Sequence, residues 1–368
     1  MAAQELPPIV FEPILKEKIW GGNNLSRKLH KHLPSHAKIG ESWELSSYGN
    51  DLSTASSEPV AGMVISDLLR IYGESILGVS GDSNYFPLLF KFIDAQERLS
   101  VQVHPDDRQA RSRGLGQFGK SECWYVVDAK PDACIIAGFK PGTTIEDIKQ
   151  AIETKTLEQL LNYTPISAGD VIFVPAGTVH AIMEGTLIYE VQETSDTTFR
   201  LYDWDRVDDR GNRRRLHIEE SLAVLDTSCQ EHCKIAPVEC GDISRGIHAF
   251  RAVCKYFAIE EYRLEGENHI DMPSKKSFQV VTVLDGVATI RTDAGVSDAA
   301  VGKTLLIPAL SKDVQIETTS GANFLVTSVP DIPEEIIKPL RAAGISDSKI
   351  AALGGHSSRN DIIPLLRG

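Results

Sequence analysis

Twelve residues, Gly169–His180, hold the clearest chemical pattern in the chain and read GDVIFVPAGTVH. The run Asp170–Val174 is apolar and rich in β-branched residues, which predicts a short strand. Pro175 and Gly177 then predict a turn of defined shape that delivers His180 to the start of the next strand. A histidine held by a rigid turn in an all-β pattern is a candidate metal ligand. The alternative is a turn histidine whose imidazole only packs against its neighbours.

Three further polar residues lie on predicted strands upstream. Gln102 and His104 are two residues apart, so a strand would direct both side chains to one face. Glu122 opens the apolar run ECWYVV, where it shares a face with Trp124. With His180 these residues make a set of two imidazoles, one carboxylate and one amide without a thiolate. Such a set suits Zn, Fe, Mn or Ni.

The spacing of Gly169, Pro175, Gly177 and His180 resembles the second sequence motif of the cupin family, whose small jelly-roll barrels often hold a metal. A longer resemblance is to the type I mannose-6-phosphate isomerase family, most closely to its shorter bacterial form. It is carried, in family order, by PILKEKIWGG (13–22), GESWELS (40–46), PLLFKFIDAQERLSVQVHPDD (87–107), GKSECWYV (119–126), VPAGTVHAI (174–182) and LIYEVQETSDTTFRLYDWDR (187–206).

This resemblance implies that Gln102, His104, Glu122 and His180 bind one zinc ion per chain. Two features depart from the general cupin pattern. Gln102 replaces the usual first histidine, and Glu122 lies 18 residues after His104 (122 minus 104) instead of a few. Both features are shared with the isomerase family, so they argue against a generic cupin oxygenase or oxidase.

The resemblance also implies a reaction, the interconversion of D-mannose 6-phosphate and D-fructose 6-phosphate through an enediolate. A zinc ion can act there as a Lewis acid on the substrate oxygens. Arg200 is expected at the reacting carbons, where its permanent charge could hold the enediolate. Two residues are candidates for the base, Lys120 and Glu190, and the sequence leaves the choice open. Their alternatives are a surface lysine at a strand start and a salt bridge inside the barrel.

Substrate contacts are expected from Lys91, Ser42 and Arg206. Lys91 lies in the run PLLFKFI, and a lysine between apolar residues needs a partner because burying an unpaired ammonium is costly. That partner is a substrate phosphate or a catalytic carboxylate. Arg206 corresponds to a basic position near the family's phosphate site, and Ser42 adds a hydroxyl. For Arg206 an ion pair with the nearby Asp203 or Asp205 is the alternative, and Trp20 and Trp43 are interpreted as core residues.

Composition limits the classes of function. The chain has 368 residues and a net charge of −13, which disfavours nucleic-acid binding but permits a small anionic substrate in a locally basic pocket. Neither a signal peptide nor a membrane span is predicted, so a cytoplasmic protein with reduced, mostly buried cysteines is expected. Cys229, Cys233 and Cys240 lack the CxxC spacing of structural zinc sites. Arg213–Arg215, after the polar turn Asp208–Gly211, is interpreted as a solvated loop.

The fold predicted is mainly β, with two cupin-type jelly-roll barrels, short inserted helices and a helical C-terminal tail. Residues 1–235 are expected to hold the metal-binding barrel, 236–330 a metal-free barrel and 331–368 the tail. An internal repeat supports this, because Gly302–Pro308 aligns on Gly169–Pro175 and Gln279 on Glu122, while Asp313 falls at the position of His180. Residues 1–85 are expected to be irregular apart from a helix over Ile65–Tyr72, and 226–242 to be a connection. Further helices are expected within 143–162, Leu216–Leu225, Pro333–Arg341, Ser346–Leu353 and Asp361–Leu366.

Two other functions remain open at this stage. One is a metal cupin that acts on a different sugar phosphate, and the other is a non-catalytic sugar-binding cupin. The joint presence of Lys120, Glu190 and Arg200 beside the ligand set disfavours the binding protein, which has no need of a base. The expected partner is a small sugar phosphate, and the chain is expected to act as a monomer or a homodimer.

Overall fold

A computed structural model describes residues 5–79, 82, 84–207, 211–227, 233–243, 245–355 and 360–367. Strands and helices are numbered along the described chain. The predicted mainly β architecture with a helical tail is confirmed. Within the described residues, no helix is both long enough and apolar enough to span a membrane. Cys229 and Asp208 lie outside the described residues, and the cysteines inside them are free thiols.

The first barrel is built from two antiparallel sheets. One sheet has the order β15-β11-β8-β13-β6-β2-β3, and its strands are β2 (Ile14–Gly22), β3 (Ile39–Leu45), β6 (Leu88–Ala95), β8 (Glu122–Ala129), β11 (Val171–Val174), β13 (Thr186–Glu193) and β15 (Lys234–Ile235). The other has the order β10-β9-β12-β7-β14, and its strands are β7 (Val101–Val103), β9 (Cys134–Phe139), β10 (Leu161–Pro165), β12 (His180–Ile182) and β14 (Phe199–Tyr202). A small hairpin joins β4 (Ser47–Tyr48) to β5 (Asp51–Leu52).

The second barrel contains the remaining strands. They are β1 (Ile9–Val10), β16 (Val238–Ile243), β17 (Gly246–Val253), β18 (Ala258–Glu265), β19 (Asn268–Asp271), β20 (Gln279–Thr292), β21 (Gly295–Ala300), β22 (Thr304–Ile307), β23 (Gln315–Thr318) and β24 (Gly321–Ser328). Strand β1 comes from the N-terminus and pairs with β22. Residues 9–10 are therefore part of the sheet of the second barrel, although the sequence analysis placed them in the region of the first barrel.

The strand pairing supports the internal repeat. Glu122 lies opposite Val174 in the first barrel, and Gln279 lies opposite Ile307 at the aligned positions of the second. The agreement extends three residues further, because Tyr125 faces Val171 and Thr282 faces Thr304. The two halves thus share one register.

Helices fill the gaps between strands and form the tail. They are α1 (Asn24–Leu29), α2 (Ile65–Leu77), α3 (Asp107–Ser112), α4 (Ile145–Glu153), α5 (Ile218–Leu222), α6 (Lys338–Ala342), α7 (Asp347–Ala352) and α8 (Ile363–Leu366), with a 3₁₀ turn at Leu157–Gln159 and a π-helical turn at Ile332–Ile337. Thr144 caps α4, because its side chain accepts a hydrogen bond from the Asp147 amide and the Asp147 carboxylate accepts one from the Thr144 amide. Ser346 precedes α7 but makes no side-chain cap.

Two sequence expectations about segments were wrong. Residues 1–85 contain β2 and β3, which lie in the sheet of the first barrel, and 226–242 includes the start of β16. Strand β3 was not predicted because its sequence, IGESWEL, contains three polar residues, although every residue in it is buried. Its acids are buried in ion pairs, Glu41 with Lys18 and Glu44 with Lys31.

A large apolar core lies between the two barrels and includes residues of the tail. Phe86 of the first half and Phe278 of the second pack with ring centroids 4.4 Å apart. Ile336, Ile350 and Leu353 of the tail belong to the same core and are fully buried. Burying an aliphatic side chain of this size stabilises a fold by about 1.5–3 kcal/mol. The tail is therefore packed into the molecule.

Candidate active site

Three buried side chains converge inside the first barrel. Nε2 of His104 lies 3.2 Å from Oε1 of Glu122, and Nε2 of His180 lies 3.6 Å from Oε2 of the same carboxylate. One ligating atom from each residue lies within 4.8 Å of the others, so the group could hold a metal ion. Glu122 comes from the sheet of seven strands and His180 from the sheet of five, and His104 directly follows β7. The site therefore needs both sheets of the barrel.

The motif turn fixes two of these groups at once. Gly177 has φ +89°, a backbone conformation that favours glycine, and its amide donates to the carbonyl of His104 at 2.8 Å. Because a backbone carbonyl only accepts, Nδ1 of His180 donates to Thr178 at 2.9 Å and Nδ1 of His104 donates to Thr197 at 2.8 Å. In a neutral ring this leaves the lone pair on Nε2, which faces the centre of the group.

The electrostatics agree with neutral imidazoles. Burial is the main cause that lowers the pKa of His180, to about 3, and it also lowers the pKa of His104. Burial alone would raise the pKa of Glu122, but the Lys120 charge and the contact with His104 hold it well below its ordinary value. Two neutral imidazoles and a carboxylate are a donor set that Zn²⁺ accepts.

Gln102 completes a four-residue arrangement. Its amide nitrogen lies 3.3 Å from Nε2 of His180, and the two residues face each other across paired strands. Zinc bonds of 2.0–2.1 Å in a tetrahedron place neighbouring donors roughly 3.3 Å apart. The two separations between a histidine Nε2 and a Glu122 oxygen, 3.2 and 3.6 Å, are close to this edge length. In addition, the Nε2 atoms of both histidines face the same buried carboxylate, so the donor set fits a metal.

Lys120 lies next to this group. Its ammonium forms an ion pair with Oε1 of Glu122, and Nζ lies 3.3 Å from Nε2 of His104. The residue is buried and lines the neighbouring cavity. Lys120 therefore places a cation between the candidate ligands and the cavity.

A second buried pair, Lys91 and Glu190, lies on neighbouring strands β6 and β13. Nζ of Lys91 is 3.5 Å from Oε2 of Glu190 and 3.7 Å from Oδ1 of Asp196. Trp124 donates to Oε1 of Glu190 at 2.9 Å. Burial and the Glu122 charge raise the pKa of Glu190 to about 7. Burial alone would lower the pKa of Lys91, but the carboxylates around it together raise that pKa. The partner expected for Lys91 is therefore a carboxylate within the chain.

The side chains open into a cavity of about 260 Å³. It is lined by Lys18, Trp20, Glu41, Lys91, Ile93, Leu99, Ser100, Gln102, Lys120, Trp124, Ile182, Glu190, Asp196, Thr198, Arg200 and Arg214. Five of these are cations and three are acids, so the walls are polar and locally basic although the chain is acidic. Arg200 donates from Nε to Ser100 at 3.3 Å and from Nη1 to the Arg215 carbonyl at 3.0 Å.

Two predicted substrate contacts are not brought to this cavity. Ser42 is fully buried and donates to Oε1 of Glu44 at 2.6 Å, because alternation along β3 sends Glu41 and Trp43 towards the cavity side and Ser42 away from it. Arg206 donates to Oδ1 of Asp203 at 2.7 Å and to the Arg98 carbonyl, the ion-pair alternative considered for it. Both substrate contacts therefore stay predictions from the sequence.

Several cavity residues were missed by sequence reasoning. Arg214 was assigned to a solvated loop, but Oδ2 of Asp203 accepts a hydrogen bond from its Nε at 2.8 Å and the side chain lines the cavity. Lys18 and Glu41 lie 3.0 Å apart on β2 and β3 in the same wall. Their position in two of the recognised sequence blocks was the only available signal. Trp20 also lines the wall, and Trp43 lies behind it, with Lys91 Nζ 4.8 Å from its ring centroid.

Comparisons with known proteins agree with this architecture. A model of the type I phosphomannose isomerase catalytic domain matches residues 9–140, and a model of the mannose-6-phosphate isomerase cupin domain matches 246–326. A probable mannose-6-phosphate isomerase of Bacillus subtilis is 35% identical over 85% of this chain and 96% of its own length. A second mannose-6-phosphate isomerase of that organism is 35% identical over 82% and 93%.

Solved structures show the same relationship. The crystal structure of the mannose 6-phosphate isomerase from Bacillus subtilis aligns with a TM-score of 0.78 and 31% identity over 87% of this chain and 99% of that chain. A putative mannosephosphate isomerase from Archaeoglobus fulgidus, at 22% identity and a TM-score of 0.69 over 88% and 98%, shares the fold. By sequence and fold, the chain belongs to the type I phosphomannose isomerase family.

Proposed function

We propose that this protein interconverts D-mannose 6-phosphate and D-fructose 6-phosphate and that it requires one zinc ion per chain. The observation that carries the proposal is the convergence of Gln102, His104, Glu122 and His180 beside a cavity that is lined by Gln102 and by five cations. A sugar phosphate needs such a cavity because its phosphate is anionic and its sugar ring is polar. When bound, zinc supplies a Lewis acid for the substrate oxygens.

Proton transfer between C1 and C2 is assigned to Lys120 and Glu190. Both line the cavity, Glu190 from β13 and Lys120 from the segment just before the neighbouring strand β8. Glu190, with a pKa of about 7, can accept and release a proton near neutrality, and the Trp124 indole orients its carboxyl group at 2.9 Å. Lys120 forms an ion pair with Glu122 and so lies beside the candidate metal ligands.

Two cations that line the cavity, Arg200 and Lys91, hold the substrate. Arg200 enters from the opposite sheet, and its guanidinium head is set by Ser100 and the Arg215 carbonyl. We assign to it the stabilisation of the enediolate oxygens. Lys91 contributes a second fixed charge, kept in place by Glu190 and the Trp43 ring. These groups bind and orient an anionic sugar without rearranging the barrel.

The remaining assignments follow from the same reasoning. We propose that residues 236–330 form a metal-free barrel and 1–235 the catalytic one, apart from β1. Free thiols at Cys123, Cys134, Cys233, Cys240 and Cys254 support a reducing compartment, so we propose a cytoplasmic enzyme acting as a monomer or a homodimer.

The test is a coupled assay of fructose 6-phosphate formed from mannose 6-phosphate, run beside other hexose 6-phosphates and unphosphorylated mannose. The proposal expects turnover of mannose 6-phosphate, which Arg200→Ala reduces by at least a hundredfold. Turnover of a different sugar phosphate alone would replace the substrate assignment. Binding of mannose 6-phosphate in calorimetry without any turnover would favour the non-catalytic cupin.

Isotope exchange separates the two proton-transfer candidates. Glu190→Gln and Lys120→Met are compared for loss of deuterium from C2-labelled mannose 6-phosphate into water, with metal content measured in parallel. The variant that stops this exchange while it keeps its metal and binds substrate identifies the group that removes the proton.

A further inference from the structure

The backbone that carries Lys120 lies before β8, so strand pairing does not position it. Its amide donates to the Pro105 carbonyl at 3.0 Å. The amides on either side donate to carboxylates, Gly119 to Oδ1 of Asp107 at 2.7 Å and Ser121 to Oε1 of Glu193 at 2.9 Å. Two acids from distant parts of the chain thus bracket Lys120, and Glu122 follows directly after.

These two acids also contact each other. Glu193 is 2% exposed, and within the described residues its Oε2 has no hydrogen-bond partner apart from the Asp107 carboxyl group. Burial, assisted by the Asp107 charge, raises the pKa of Glu193 to about 8. Burial alone would raise the pKa of Asp107, but hydrogen bonds from Gly119, Glu193 and Tyr256 lower it below its ordinary value. The pair therefore shares one proton at neutral pH, carried by Glu193 and donated to Asp107.

The second barrel reaches the same acid. Tyr256 lies in the turn between β17 and β18 and donates its hydroxyl to Oδ2 of Asp107 at 2.9 Å. Asp107 therefore accepts from both barrels, through Oδ1 from the Lys120 segment and through Oδ2 from Tyr256. The other titratable or charged groups around Glu193 are Arg111 on α3, Tyr85, and Lys255 and Cys254 beside Tyr256.

We propose that Glu193, Asp107 and Tyr256 are positioning residues that hold Lys120 in place, and that the second barrel contributes to catalysis through the Tyr256 hydroxyl. This inference rests on the proposed isomerase function. Loss of the shared proton puts two negatively charged carboxylates in contact. Their repulsion weakens the hydrogen bonds that hold Gly119 and Ser121, and Lys120 moves away from Glu122. The effect falls on kcat, because these residues do not line the substrate cavity.

Glu193→Gln is the informative variant. Its amide oxygen still accepts from Ser121 and its amide nitrogen still donates to Asp107, but it cannot ionise. In the wild type we expect kcat to fall about tenfold between pH 7 and pH 9, one unit above the pKa of about 8. In Glu193→Gln this alkaline fall disappears while kcat at pH 7 stays near the wild-type value. An unchanged alkaline fall, or an inactive variant that is folded and metal-loaded, would overturn the proposal.

Tyr256→Phe tests the link between the barrels. We expect kcat to fall about tenfold with KM unchanged. The matched control is Tyr262→Phe, since the Tyr262 hydroxyl donates to Glu260 at 3.3 Å within the second barrel. Equal kcat for the two variants would remove Tyr256 from the assignment.

Hydrogen exchange separates this inference from the proposed function. The amides of Gly119 and Ser121 should exchange at least tenfold faster in Glu193→Ala and in Tyr256→Phe than in the wild type, followed by mass spectrometry of peptides that span 119–121. This readout needs no turnover. Unchanged protection in an active enzyme would refute the positioning role, whereas an inactive wild type with the expected exchange would refute only the isomerase assignment.

Discussion

Replacing Lys91 with methionine removes one charge from a buried ion pair and keeps most of the side-chain volume. Lys91 and Glu190 have side chains that are each 3% exposed, with Nζ and Oε2 3.5 Å apart. Removing one partner from such a pair typically costs about 3–5 kcal/mol, because the other charge remains buried. Here the cost depends on pH, because Glu190 can take up a proton and so avoid leaving an unpaired buried charge.

The size of this dependence follows from the pKa of Glu190. That pKa is about 7 with Lys91 present, raised by burial and Glu122 and lowered by Lys91, so losing Lys91 raises it further. Wild-type Glu190 is ionised above pH 7, whereas in Lys91→Met it stays protonated when folded and ionises on unfolding. The variant therefore loses stability with rising pH by about 1.4 kcal/mol per unit, or roughly 3 kcal/mol between pH 7 and pH 9. At pH 6 the loss is only about 1 kcal/mol, from the contact with the Trp43 ring.

The assay is urea unfolding of chelator-stripped protein at pH 6 and pH 9, beside kcat/KM of the zinc-loaded protein, which we expect to fall about a hundredfold. Lys16→Met is the matched control, because Lys16 Nζ also lies over the Trp43 ring, at 4.6 Å, but pairs with Asp51 outside the cavity. The control should keep its activity and show the same small stability loss at both pH values. A loss in Lys91→Met that does not grow from pH 6 to pH 9 would refute the reasoning.

Three further predictions concern the site. His180→Ala should lose metal and activity together, whereas Arg200→Ala should keep its metal and lose turnover; metal analysis beside kinetics checks this, and an active His180→Ala or a metal-free Arg200→Ala protein contradicts it. Ser42→Ala should lower the free energy of unfolding by about 1 kcal/mol through the lost Glu44 hydrogen bond and leave KM within about twofold; a large rise in KM would restore Ser42 to the cavity. Arg214→Gln should raise KM for the sugar phosphate about tenfold, measured by initial rates, and an unchanged KM would show that its cavity position is incidental.

The grouping of the candidate ligands could be predicted because strand geometry is regular. Gln102 and His104 are two residues apart, and one face of a strand was enough to place them together. The Pro–Gly turn made the position of His180 independent of long-range contacts, and Gly177 has the positive φ that this turn requires. The repeat in the second barrel was readable for the same reason, since a shared register keeps the apolar pattern.

The sequence was least informative where side-chain direction depends on a distant partner. Ser42 and Trp43 are neighbours in one recognised block, and only the pairing of β3 with β2 and β6 decides which of them faces the cavity. Arg214 belongs to a run of three arginines, whose composition predicts a solvent-exposed loop. Its hydrogen bond to Asp203 instead places its side chain in the lining of the cavity. The contact between Asp107 and Glu193 joins α3 to the end of β13, and no local pattern announces it.

The most direct test of the central claim is a zinc titration of the chelator-stripped protein, with isomerisation of mannose 6-phosphate measured at each addition. The account predicts that the stripped protein is inactive and that activity rises in proportion to added zinc until one ion is bound per chain. It also predicts that His104→Ala shows no such rise. Full activity in the stripped protein, or a wild type that binds zinc at this site and stays inactive on mannose 6-phosphate, would contradict the assignment of the site as the centre of a zinc-dependent isomerase.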